Sequence, residues 1–170
     1  MSASWTGLKV LRLLPVLGLI VVKFSQGTVE YRSSSSEYYV RCVRGPSTTR
    51  SFTDNGDSTV TDTKTGLVWQ QTSGSQRNWT SSLTYCEDLT LASQSDWRLP
   101  NIKELGSIVD VSEQRGNPAI DETAFPGTQQ YYWSSTPKGS NVQNFDFNYG
   151  RVANEIKSNS FYVRCVRGGQ

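Results

Sequence analysis

One seven-residue string, Tyr-Val-Arg-Cys-Val-Arg-Gly, occurs twice in this chain and constrains its organisation more than any other feature. The copies span Tyr39–Gly45 and Tyr162–Gly168 and are therefore 123 residues apart (162 minus 39). The match extends upstream without a gap and places Gly27 on Gly150. An internal repeat of this kind indicates a modular chain in which one module has been truncated.

The repeat divides the chain into unequal parts. Residues 50–168 are expected to form one complete module, large enough to bury a single core. Residues 24–45 are expected to be the terminal strands of a truncated copy. Function is therefore sought in the complete module.

Residues 1–23 contain an apolar run, Leu13–Val22, that follows Lys9 and Arg12. Ten apolar residues are too few to span a bilayer easily. The alternatives are a weak secretory signal, an accidental apolar leader, and a buried strand or helix.

Composition excludes several classes of function. The net charge is only +2, without a basic run, which argues against nucleic acid as a partner. Histidine is absent, which removes the commonest general base and metal ligand. No CxxC pair is present to suggest zinc. We expect no metal, no cofactor and no catalytic residue.

Three cysteines are present, Cys42, Cys86 and Cys165. Cys42 and Cys165 are equivalent in the repeat, whereas Cys86 belongs to the complete module alone, so we expect a Cys86–Cys165 disulfide. Such a bond would stabilise the module by about 4 kcal/mol in the chain-entropy model. Cys42 would be an unpaired thiol or a site of intermolecular pairing. The alternative is three free thiols in a reducing compartment.

The order of predicted elements is strands, two helices and strands, which is typical of an α+β fold with two helices packed on short antiparallel sheets. Trp79, Leu83, Cys86 and Leu89 share one helical face. Asn101 and Glu104 form a capping-box pair for the second helix. Gly74–Asn78 is expected to be a loop. The expected strands are Thr59–Thr61, Leu67–Trp69, Tyr131–Ser135, Asn144–Phe147, Arg151–Ile156 and Phe161–Val166.

Five segments together resemble the bacterial domain family named after the C-terminal domain of the Legionella collagen-like protein. They are Asp54–Gln70, Trp79 with Cys86, Ser95–Leu105, Tyr132–Thr136 and the terminal Tyr-Val-Arg-Cys-Val-Arg-Gly.

The resemblance implies a C-type-lectin-like fold, in which a cysteine on the first helix bonds one on the last strand. It also implies a secreted or surface-displayed binding module, in some members an adhesin for sulfated glycans. The calcium-binding triplets of sugar-binding lectins do not occur here, so calcium-bridged sugar binding is not carried over.

The segment Pro126–Arg151 is the best candidate for ligand binding. It combines aromatic faces, amides and single charges, which suit recognition of sugars or protein loops. Trp133 is expected in the core. The outward candidates are Tyr131, Lys138, Asn141, Gln143, Asn144, Asp146, Asn148, Tyr149 and Arg151.

Other eye-catching motifs have simpler structural interpretations. Asp54–Asp57 is expected to be a hairpin turn rather than a calcium loop. Trp97 is expected to be buried, with Asp96 and Arg98 bonded to each other or to backbone groups. Arg164 and Arg167 are expected to make ion pairs or to be solvated at the sheet face.

The sequence therefore predicts a non-catalytic, adhesin-like module of an exported bacterial protein, secreted or at the cell surface, with a glycan or protein ligand. One alternative is a structural or assembly domain of a repeat array. Another is an enzyme resembling the sulfatase-modifying oxidases, but these need reactive cysteines.

Overall fold

A computed structural model describes residues 19–23, 28–32, 37–40, 51–110 and 118–169. These residues form an α+β structure with two helices, as expected. The strands are β1 Leu19–Lys23, β2 Thr28–Arg32, β3 Phe52–Asp54, β4 Thr59–Asp62, β5 Val68–Gln70, β6 Gly74–Arg77, β7 Tyr131–Lys138, β8 Asn141–Asp146, β9 Arg151–Glu155, β10 Phe161–Val163 and β11 Val166–Arg167, and the helices are α1 Trp79–Glu87 and α2 Ile102–Ser107.

A four-stranded antiparallel sheet has the order β11-β5-β4-β3. Its β3–β4 hairpin turns at Asp54–Asp57, which confirms the predicted turn. Gly56 has φ +72°, a left-handed conformation that glycine adopts without a Cβ clash.

A five-stranded sheet has the order β6-β10-β7-β8-β9. The expectation of purely antiparallel sheets is wrong here, because β10 runs parallel to β7, with Tyr162 opposite Tyr132. After β9 at one edge, the chain crosses to the far side of β7 and enters in the same direction as β7.

The loop predicted at Gly74–Asn78 is also wrong, because Gly74–Arg77 forms strand β6 beside β10. This polar edge strand lacks the alternation that would reveal it in the sequence. Glycine is needed at its start, since a Cβ on Gly74 would lie 2.7 Å from Val163 Cγ1.

The single strand predicted at Phe161–Val166 is divided. β10 belongs to the five-stranded sheet and β11 to the four-stranded sheet, so the chain passes between sheets at Arg164 and Cys165. The predicted Cys86–Cys165 disulfide is confirmed at this crossing, with Cα atoms 5.5 Å apart.

Polar caps set the start of both helices. Asn78 caps α1 by accepting from the Ser81 N–H, and the Asn101–Glu104 capping box of α2 is present as predicted. α1 ends at Glu87, so Leu89 lies just beyond the helix.

Two clusters of buried side chains form the core. One surrounds Phe125, Tyr132 and Phe145, and the other surrounds Trp133 and the disulfide. Trp133 is fully buried, as predicted. The buried members of both clusters lie between Val60 and Val166, so this region carries its own core.

The N-terminal prediction meets the structure only in part. β1 and β2 form an antiparallel hairpin that straddles the boundary placed between residues 23 and 24. Cys42 lies outside the described residues. In the described ranges, no helix has the length and apolar character needed to cross a membrane.

Candidate ligand-binding face on strands β7 to β9

The nine candidate side chains do not converge on one surface. Lys138 and Asn141 pair at the tip of the β7–β8 hairpin, whereas Tyr131 and Asp146 pair at its opposite end. Seven residue steps along β7 separate the two ends, which is about 23 Å at strand spacing. One small ligand therefore cannot contact both ends.

Three candidates are not outward-facing. Gln143 is 7% exposed, and Asn144 and Asp146 are fully buried. The expectation of exposure is wrong for these positions because β8 lies between β7 and β9 and both of its faces are covered. In the part of the chain that the structure describes, neither Asn144 Oδ1 nor Nδ2 has a hydrogen-bond partner.

The end near Asp146 has the more organised geometry. We call residues 146–151 the Asp146 loop. Asp146 Oδ1 accepts from the Asn148 N–H at 3.1 Å and from Gln130 Nε2 at 3.3 Å. Asp146 Oδ2 accepts from Arg151 Nε at 3.2 Å. One buried carboxylate thus orients the backbone at Asn148 and the side chain of Arg151, and ties the loop to Gln130.

Arg151 and Tyr149 present the accessible surface of this loop. The Arg151 side chain is 46% exposed, although its Nε is held by Asp146. Its guanidinium carbon lies 4.8 Å from the Tyr149 ring centroid, within cation–π range. An oriented cation beside an aromatic ring can bind a polar ligand.

The hairpin tip near Lys138 is a contrasting surface. A two-residue turn, with Gly139 at φ +60°, joins β7 to β8. Lys138 is exposed and Asn141 is half-buried. No buried acid comparable to Asp146 anchors these side chains among the described contacts.

Sequence reasoning missed a shallow groove beside α1, about 480 Å³ in volume, where Thr80, Thr84 and Tyr85 are among the lining residues. Arg77 stacks on Tyr85, with its guanidinium carbon 3.7 Å from the ring centroid. The available signal was the spacing of Thr80 and Thr84, which lie one turn apart on the polar face of α1.

The acidic side chains of the turn between β3 and β4 already accept hydrogen bonds from neighbouring groups. Asp54 Oδ1 accepts from the Gly56 N–H at 2.8 Å, and Asp57 Oδ1 accepts from Thr59 N at 3.1 Å. The Gly56 hydrogen bond, with a second from Gln71, holds the pKa of Asp54 below its usual value. In the described ranges, no group of three acidic, histidine or cysteine side chains is arranged to hold a metal.

Trp97 is buried as expected. Arg98 donates to the Gly168 backbone oxygen at 3.1 Å, as predicted, whereas the ion pairs of Arg98 and Asp96 were not predicted. Arg98 makes a bidentate pair with Glu104 at 2.8 and 2.7 Å, and Asp96 pairs with Arg167 at 2.6 Å. Burial alone would raise the pKa of Glu104. The hydrogen bonds from Arg98 and from the Asn101 N–H outweigh it and hold that pKa below its usual value. Glu104 is thus a helix-capping ion-pair partner.

Arg164 overturns the expectation of an ion-paired or solvated residue at the sheet face. Its side chain is fully buried, and desolvation lowers its pKa. It donates to the backbone oxygen of Gln71 at 2.7 Å and to Thr128 Oγ1 at 3.0 Å, with its guanidinium 4.7 Å from the Phe125 ring centroid. This buried cation ties the β5–β6 connection to the segment before β7.

The sequence that forms these elements matches a known family. Residues 58–167 match the family model described as the Lcl C-terminal domain. The chain belongs to the Lcl C-terminal domain family. The comparison with curated proteins gives no match.

The family match spans both helices, strands β4 to β11 and both cysteines of the disulfide. The resemblance stated from the sequence is therefore confirmed for the complete module. The match excludes the N-terminal hairpin, so its interpretation as a second, partial Lcl C-terminal domain stays a prediction.

Proposed function

We propose that this Lcl C-terminal domain is a non-catalytic binding module of an exported bacterial protein, adhesin-like, on a C-type-lectin-like scaffold. Its ligand is a glycan or a loop of another protein. The observation that carries the proposal is the Asp146 loop, where a buried carboxylate orients a half-exposed arginine beside a tyrosine ring.

Pre-organisation is the physical reason to favour this loop. The hydrogen bonds to Asp146 restrict the loop before any ligand arrives. Binding then costs less conformational entropy than it would at a mobile loop. A tyrosine ring offers contact area with few rotatable bonds, and a guanidinium donates several hydrogen bonds in one plane.

Catalysis has little chemical support in the groups present. The sequence contains no histidine, and Cys86 and Cys165 are joined to each other rather than available as nucleophiles. The oxidase alternative requires such cysteines in reactive form. The disulfide also supports export, because such bonds persist mainly in oxidising compartments.

The test is binding of the purified protein to a glycan array and to candidate surface proteins. We expect Arg151→Ala and Tyr149→Ala to lower affinity for any ligand found at least tenfold, through loss of a charged hydrogen bond or a stacking surface. Lys138→Ala is the matched control, because it removes a cation from the opposite end of the same hairpin.

Two results would overturn the proposal. One is an array and pull-down without any ligand, which would favour the assembly domain. The other is a ligand whose affinity falls with Lys138→Ala and not with Arg151→Ala. Circular dichroism and a non-reducing disulfide map of each variant separate lost binding from lost folding.

A further inference from the structure

The two β-hairpins β1–β2 and β8–β9 have the same strand register. Leu19 pairs with Arg32, as Val142 pairs with Glu155. Each of the five pairs in the first hairpin moves onto a pair of the second when 123 is added to both residue numbers. The offset of the sequence repeat thus reappears in the backbone pairing, and β2 corresponds to β9.

These equivalent strands also lie close to each other in space. β9 is an edge strand, hydrogen-bonded within its sheet to β8 alone among the described strands. Cα atoms of β2 approach those of β9 within 8 Å, without forming a ladder. An edge strand presents unpaired backbone groups and is a natural place for another strand to dock.

Contact between equivalent strands is the arrangement found in an isologous interface, where the same surface of two copies meets across a two-fold axis. We propose that the outer edge of β9 is a homotypic docking edge that binds the β8–β9 hairpin of a second copy of this module. In the full chain, β1–β2 lies against β9 and would block access to that edge.

The sequence of β9 suits pairing with itself. The strand begins with Arg151, ends with Glu155 and has Ala153 at its centre. In an antiparallel pair about a two-fold axis, Arg151 of each copy faces Glu155 of the other, and the two alanines meet at the axis. Opposite charges directly across a strand pair are stabilising, and a small central residue permits close approach.

Tethering explains why β1–β2 would exclude a second molecule from β9 in the full chain. It is held on the same polypeptide, so its effective concentration at β9 exceeds that of a second molecule at ordinary concentrations. Removing it should expose the edge. This inference does not depend on the ligand-binding proposal, because the docking edge is defined by backbone pairing.

The test compares the full chain with residues 46–170, which retain the described core clusters and the disulfide. Sedimentation velocity and light scattering over a wide concentration range are the measurements. We expect the full chain to remain monomeric and the shorter chain to reach twice the monomer mass as concentration rises.

Variants of the shorter chain test the edge itself. Ala153→Lys would place two like charges together at the axis, and Asn154→Lys would place a charge on the same edge at an exposed position. Both should keep the shorter chain monomeric with its disulfide intact. Ser158→Lys is the matched control, since it adds the same charge outside β9, and it should dimerise like its parent.

Three outcomes would overturn the proposal. They are a shorter chain that stays monomeric throughout, a full chain that dimerises as strongly as the shorter one, and a folded Asn154→Lys variant that dimerises like its parent. Asn154→Lys decides the question if Ala153→Lys fails to fold.

Discussion

Arg164 and Arg151 show two uses of a guanidinium in one small domain. Arg164 is fully buried, bonds to backbone and hydroxyl oxygens and has no carboxylate partner among its described contacts. Arg151 is half-exposed and is oriented by the carboxylate of Asp146. The first arrangement holds loops together, whereas the second leaves a cation available to a ligand. Changes near Arg164 should therefore lower stability, whereas changes near Arg151 should lower ligand binding.

Removing the covalent bond beside Arg164 should have the largest effect. The Cys86→Ala, Cys165→Ala double variant removes a crosslink between residues 79 positions apart. The chain-entropy model gives a loss of about 4 kcal/mol in free energy of unfolding. Urea denaturation measures it, and a loss no larger than that of Arg151→Ala would contradict the assigned role.

Arg164→Ala should rank next. The change leaves the half-buried Gln71 carbonyl oxygen and the buried Thr128 hydroxyl oxygen without their donor and opens a cavity beside Phe125. We expect a loss of about 3–4 kcal/mol. Arg151→Ala should cost less, about 1–2 kcal/mol, because Arg151 is half-exposed and the buried Asp146 keeps its hydrogen bonds from Asn148 and Gln130. Equal losses in urea denaturation would erase the distinction between the two arginines.

Asp146→Asn should lower both stability and ligand affinity. The amide keeps the shape but loses the charge that orients Arg151, and we expect a stability loss of about 1–2 kcal/mol. Ligand affinity should fall nearly as far as in Arg151→Ala. Unchanged affinity in isothermal titration would mean that orientation of Arg151 is irrelevant to binding.

The Arg98–Glu104 pair should make a small, pH-dependent contribution to the free energy of unfolding. The pKa of Glu104 is lowered in the folded state, so its contribution is present above the usual glutamate pKa and is lost as pH falls through the folded value. We expect the contribution to be about 1 kcal/mol or less, given the partial exposure of Arg98. Glu104→Gln should flatten the acid slope of stability, and an unchanged slope would contradict this assignment.

Local signals predicted the elements that depend on neighbours in sequence. The capping box of α2 follows from Asn101 three residues before Glu104, and the disulfide follows from comparing the two repeat copies. β6 could not be predicted in this way, because its polar residues become a strand only when β10 is placed beside them.

The candidate site was predicted only in part for the same reason. Asn144 and Asp146 look like surface residues in the sequence, but their burial depends on what packs over both faces of β8. Arg164 carries no local sign of burial either. Its environment exists only after the chain crosses between the two sheets.

The most direct measurement is an amide NMR titration of the protein with the strongest ligand from the glycan array or pull-down. We expect the largest shifts at Asn148, Tyr149 and Arg151, with little change at Lys138 and Asn141. Largest shifts at the Lys138 tip, or in the groove beside α1, would contradict it.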